Sequence, residues 1–310
     1  MANHIISMSN YPGASTAALR TWGAAINNGL TQVLGAGNLV ASTIDWNTIT
    51  LPSFNSSVFG YEVWKLDDPS HISSPPVYIK FNYRTTASVG GIFIIVNVGT
   101  GWDGSALTGP GASTSYQLGT TYSDSSVCQS WMSSDGDGFV WFNNVDTNNV
   151  GNAKFVFVVD RQRNSNGLAQ ANTGWPPSIG YLVGSYYATA GNPSSFISSG
   201  VALVCVDPIS GDVVNFAKWP IITRANNQTT ALSGDGTKTL VSPMWNVNRQ
   251  GSYISKMVVS IPRNDVNAGS VVNIDFLNAT RQYKGSSQYS SNFGYVSSVG
   301  SSVALWWDDV

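Results

Sequence analysis

The chain has 310 residues; 42% are hydrophobic, only 10% are charged, and the formal net charge is -2. Average proteins carry roughly 25% charged residues, so the surface here must be polar yet neutral, built from Ser, Thr, Asn and Gly. That balance supplies no field for holding nucleic acid or an anionic membrane, and no apolar run is long enough to span a bilayer. A neutral surface repels like copies weakly, which suits a subunit packed among neighbours. The length allows one large β domain or two ordinary ones. The two cysteines, Cys128 and Cys205, lie in apolar runs and read as buried thiols rather than as a disulfide framework. Met1-Ala2-Asn3-His4-Ile5-Ile6 lacks the basic start and apolar stretch of a secretion signal.

In chain order, residues 1–14 read as extended and polar. Ser15 or Thr16 can cap a helix from Ala17 to about Leu34, which Gly35-Ala36-Gly37 ends. Leu19, Trp22, Ile26, Leu30 and Val33 share one helical face. Two readings of that face stand side by side. The helix lies on the β core, or it is an assembly helix whose Leu19, Trp22, Ile26 and Leu30 dock on a neighbouring subunit. Ile44, Trp46 and Thr48 suggest a short strand.

The stretch from Phe59 to Gly109 is the most regular. Gly60 to Leu66 alternates and runs into Asp67-Asp68-Pro69. After Pro75-Pro76, residues Val77, Ile79, Phe81 and Tyr83 fall on one face, with Tyr78, Lys80, Asn82 and Arg84 on the other. Val89-Gly90-Gly91 turns into Ile92-Phe93-Ile94-Ile95-Val96-Asn97-Val98, a run that reads as a strand covered on both faces and antiparallel to the one before. Gly99 to Gly104 reads as a loop in which Asp103 bonds its own backbone.

Further strands are read near 127–132, at 139–142, 154–160, 179–189, 239–246, 256–261, 271–276 and 302–307. The clearest hairpin joins 201–206 to 213–217 through Asp207-Pro208-Ile209-Ser210-Gly211-Asp212. About ten to thirteen short strands with a single helix predict a mainly β chain, an antiparallel, jelly-roll-like sandwich. The expected organisation is an N-terminal arm and helix over 1–52 and a β-sandwich over 53–310, with a subdivision near 170–177.

Acid–base chemistry needs a carboxylate or imidazole in a cleft. Glu62 is the sole glutamate, and most aspartates sit in turns, where they cap the backbone. Glu62 with Asp103 is the nameable carboxylate pair for glycoside hydrolysis. His4 and His71 are too few for a zinc site, and Asp135-Gly136-Asp137-Gly138 is the weak calcium candidate, through Asp135 and Asp137. No phosphate-cradling glycine loop is present, so no cofactor is expected. Trp102, Trp175, Tyr283 and Tyr289 read as loop aromatics suited to stack on sugars or anchor a protein interface.

At Glu62-Val63-Trp64-Lys65-Leu66-Asp67-Asp68, Pro76-Val77-Tyr78-Ile79-Lys80-Phe81-Asn82-Tyr83 and Val98-Gly99-Thr100-Gly101-Trp102-Asp103-Gly104…Leu107-Thr108-Gly109, the chain resembles virion structural proteins of tailed bacteriophages. The resemblance implies a non-enzymatic subunit of the virion, from the tail, baseplate or fibre region or the capsid surface. Its partners would be copies of itself and other virion proteins. A host-recognition role would add a surface glycan. No catalytic residue comes with the resemblance.

Overall fold

The computed structural model describes residues 2–9, 11–66, 76–87, 90–109, 112–113, 115–120, 127–136, 138–144, 155–161, 179–185, 202–206, 213–215, 244–247, 251–254, 256–262, 270–276, 279–285 and 301–309. The described residues are mainly β, in antiparallel sheets, with a single α-helix among them.

Strand β1 (Ala2–Ser9) precedes helix α1 (Thr16–Leu34). Ser15 caps the helix by accepting from the Ala18 amide at 3.1 Å, and Gly35, at φ 89°, closes it with its own amide on the Thr31 carbonyl. Strands β2 (Leu39–Ser42), β3 (Val58–Lys65), β4 (Tyr78–Thr85), β5 (Ile92–Gly99) and β8 (Tyr116–Thr120) form a five-stranded sheet in that order. Between β5 and β8, β6 (Gly101–Trp102) and β7 (Leu107–Thr108) make a small hairpin. A seven-stranded sheet follows the order β1, β9 (Val127–Ser134), β10 (Gly138–Asn144), β11 (Phe155–Arg161), β12 (Ile179–Ser185), β13 (Ala202–Val206), β14 (Val213–Asn215). After the hairpin β15 (Met244–Val247) and β16 (Gly251–Ile254), a four-stranded sheet runs β17 (Val258–Pro262), β20 (Ser301–Asp309), β19 (Ala279–Gly285), β18 (Val271–Phe276).

The alternation read in β4 holds: Val77, Ile79, Phe81 and Tyr83 are fully buried, and their alternates are half-buried. Phe81 packs edge-on against Phe139, Trp141 and Phe157 of the seven-stranded sheet, so the two large sheets enclose the main core. Helix α1 joins this core through Leu19, Trp22, Ile26, Leu30, Val33 and Leu34. The opposite face of the seven-stranded sheet is covered as well. Trp131, Ser133, Val140, Phe142, Val158 and Asp160 are all buried there. The Ser133 hydroxyl donates to the Trp306 carbonyl at 2.6 Å, across to the four-stranded sheet. Three layers result, and the continuous apolar runs of β10 and β11 follow from having packing on both faces.

Several expectations are corrected. Leu19, Trp22, Ile26 and Leu30 are 0%, 2%, 0% and 0% exposed against this chain's own sheets, so the face read as an assembly helix is already occupied. Its spacing was the same in either reading; burial chose between them. The boundary at residue 52 is crossed by two pairings, β1 with β9 and β2 with β3, which build residues before it into both large sheets. Residues 43–50 are a turn rather than a strand. The Asp45 carboxylate accepts from the Asn47 amide at 2.9 Å and the Thr48 hydroxyl at 2.8 Å, which bends the chain. The strand there is β2, a few residues earlier. The subdivision near 170–177 and the 207–212 turn lie outside the described residues. Cys128 on β9 and Cys205 on β13 have three strands between them, about 19 Å at ~4.8 Å per spacing, too far for a disulfide.

Candidate functional site

Glu62 lies on the inward row of β3 with Gly60 and Trp64, and it is 1% exposed. Its Oε1 accepts from Asn27 Nδ2 and Trp46 Nε1, each at 2.9 Å. Its Oε2 accepts from the Tyr83 hydroxyl at 2.8 Å and from Trp64 Nε1 at 3.5 Å. Four neutral donors from helix, turn and two strands therefore converge on one carboxylate. Burial, then the adjacent carboxylate and the bond to it, raise the Tyr83 hydroxyl well above its ordinary 10.0. The rings of Trp22, Trp46 and Tyr83 meet edge to face around this hub, with centroids 4.9–6.1 Å apart. Asp103 is exposed on the β6–β7 hairpin instead. Its Oδ1 accepts from the Ser105 amide and hydroxyl and the Ala106 amide, which together hold its carboxyl below the ordinary value. Glu62 faces the sandwich interior and Asp103 faces water, so the pair named for glycoside hydrolysis is not brought together. Alternation alone could not show that Glu62 faces inward, since Val63 on the other row of β3 is buried as well.

The calcium candidate is also corrected. Asp135 pairs with the Lys256 ammonium, and its Oδ1 accepts from the Gly138 amide at 3.0 Å. Lys256 is 7% exposed, and its own amide donates to Asp160 Oδ2 at 3.0 Å. A cation therefore already sits at Asp135, supplied by the chain. Asp137 lies outside the described residues, and no cluster of three or more metal-ligating side chains occurs among the described residues.

Two lysines are held by rings. Lys284, 8% exposed, places its Nζ 4.8 Å from the Trp131 centroid and 4.5 Å from that of Trp307. Burial lowers its ordinary 10.5. Lys80, half-buried on the outer face of the five-stranded sheet, places its Nζ 4.0 Å from the Tyr61 centroid and 5.2 Å from that of Trp102. Burial lowers Lys80 too, opposed by the charge of Asp103.

Among the aromatics read from sequence, Trp102 is half-buried beside Tyr61, with ring centroids 6.0 Å apart. Tyr283 is corrected: it is a β19 strand residue, 0% exposed, whose hydroxyl donates to the Lys256 carbonyl at 2.8 Å. The Ser/Asn-rich stretch that follows Gly285 made it look like a loop residue, but Ala279–Gly285 pairs with β18 and β20. Trp175, Tyr289 and His71 lie outside the described residues; His4 is on β1. Sequence reasoning missed Tyr61, Lys80, Lys256 and Lys284, whose roles depend on partners far away in the chain. No helix among the described residues is long and apolar enough to cross a membrane.

No protein-family model matches the chain, and no curated protein matches it.

Proposed function

We propose that this protein is a non-enzymatic structural subunit of a tailed-phage particle, of the tail or baseplate region, that joins copies of itself and other virion proteins along its sheet edges. The observation that carries this reading is where exposed large apolar side chains fall. Ile5 (47%) is on β1, Leu39 (37%) and Val40 (41%) are on β2, and Val271 (40%) is on β18. Among the described residues each of those strands is the edge of its sheet, and the fifth such residue, Val58 (49%), begins β3 next to β2. Edge strands present unpaired backbone groups, and proteins that stay apart protect them with charge or proline. Neither β1 (ANHIISMS) nor β2 (LVAS) contains Lys, Arg, Asp, Glu or Pro. The neutral composition and the resemblance across residues 62–109 support the phage setting.

Light scattering on size-exclusion fractions of the isolated chain tests the assembly step. The expected result is a concentration-dependent oligomer that Val40→Lys and Ile5→Lys shift to monomer while the circular-dichroism spectrum is retained. A parent chain that stays monomeric at every concentration, together with its absence from the protein content of purified particles, overturns the reading.

A further inference from the structure

On the outer face of the five-stranded sheet, β3, β4 and the β6–β7 hairpin bring Tyr61, Lys80, Trp102 and Asp103 together. The hairpin is fixed in place. The Thr100 amide donates to the Thr108 carbonyl at 2.9 Å, and the Asp103 amide to the Ala106 carbonyl at 3.1 Å. In the sheet Lys80 is flanked by Val63 on β3, which is fully buried, and by Asn97 on β5. The ammonium rests on two rings, yet no hydrogen-bond acceptor or ion-pair partner meets it among the described residues. Asp103 is near enough to raise the Lys80 value, but the two do not close an ion pair. Three local donors hold Asp103 Oδ1 and leave Oδ2 to solvent.

We infer that Trp102, Tyr61, Lys80 and Asp103 form a binding site for a neutral pyranose sugar. The chemistry of the four groups matches that ligand class. A half-buried indole offers a flat apolar surface to the C–H face of a sugar ring. An ammonium over the rings and a nearby carboxylate on the same hairpin suit a diol, one hydroxyl accepting from Lys80 Nζ and another donating to Asp103 Oδ2. The opposite charges cancel, so the site has no preference for an anion, and Asp103 opposes a sugar carboxylate. Because Oδ1 is tied to the turn, Oδ2 is held in a fixed direction before any ligand arrives, which lowers the ordering cost of binding. This inference stands apart from the assembly reading, since an edge-joined subunit needs no sugar site.

Saturation-transfer NMR on the full chain tests it, with glucose, galactose, mannose, N-acetylglucosamine and their short oligomers as probes, and glucuronate and sialate as charged comparisons. The expected result is transfer to at least one neutral pyranose, strongest at the protons of one ring face. Asp103→Asn keeps an oxygen for the turn, and Lys80→Met keeps a stem over Tyr61. Each should weaken binding about tenfold, the scale of losing one charge-assisted hydrogen bond. Trp102→Ala should abolish transfer, and Trp307→Phe, on the far side of the molecule's layers, should leave it intact. No transfer from any neutral sugar, equal transfer to the charged ones, or unchanged binding by Asp103→Asn and Lys80→Met would each overturn the inference.

Discussion

The two interlayer spaces of this protein are built on different principles. Between the five- and seven-stranded sheets the contents are apolar and aromatic, and the one carboxylate, Glu62, is satisfied by neutral donors alone. Between the seven- and four-stranded sheets, buried apolar side chains such as Val140, Phe142 and Val158 are joined by ionic and polar contacts: Lys256 with Asp135 and Asp160, Lys284 between Trp131 and Trp307, Ser133 on the Trp306 carbonyl. The first space gains from area removed from water, and its polar hub fixes how helix, turn and strands meet. The second adds to its apolar burial a few directional contacts, each costly to break singly. A chain with so little charge thus spends what it buries on positioning its layers.

The largest expected effect comes from the first space. Glu62→Ala leaves the Asn27, Trp46 and Tyr83 donors buried without an acceptor, and should lower unfolding stability by about 4 kcal/mol in urea titrations. Glu62→Gln keeps one carbonyl acceptor and should lose less than half of that. If Ala and Gln cost the same, the carboxylate is not the organising group.

In the second space, Lys256→Met should cost about 3 kcal/mol, because it strands the Asp135 charge in a buried site. Adding Asp135→Asn removes that charge, keeps the acceptor for the Gly138 amide, and should recover most of the loss. A double variant no more stable than Lys256→Met would show the ion pair contributes nothing specific.

Gly23 probes how tightly α1 is packed. A Cβ there would lie 1.9 Å from the Trp46 ring, so Gly23→Ala should destabilise by about 1–2 kcal/mol despite the better helix propensity of alanine. Calorimetry showing a stabilised Gly23→Ala would mean the helix rides loosely on the core.

The smallest effect is one of pH. Burial lowers the folded-state value of Lys284 below 10.5, so the unfolded chain binds the proton more tightly. Stability from this group therefore rises with pH from the lowered value toward 10.5. Tyr83 acts in the opposite direction above 10.0, where the unfolded chain ionises first. Urea midpoints taken from neutral pH up to 10 should rise less steeply in Lys284→Met than in the parent.

Much of this fold was legible in the sequence, for reasons residue spacing can express. Period-2 burial in Val77, Ile79, Phe81 and Tyr83, the single helix with its Ser15 cap and Gly35 stop, and the Asp103 turn all depend on neighbours a few positions away. The candidate sites were less legible. Trp102 was visible as a loop aromatic, but Lys80 and Tyr61 beside it were ordinary alternating residues until three strands were laid together. Tyr283 was misplaced and the helix face was left between two readings, because an apolar or aromatic residue looks the same whether its cover comes from this chain or another.

Alone, the sequence determined the chemistry available: strands, a helix, turns, and a composition with few charges. The tertiary structure decided the order of strands in each sheet, which face of the seven-stranded sheet met which layer, and that Lys256 rather than a metal ion would meet Asp135. Local pattern sets how each segment folds, whereas partners hundreds of residues apart are chosen only when whole sheets compete for the same buried surface.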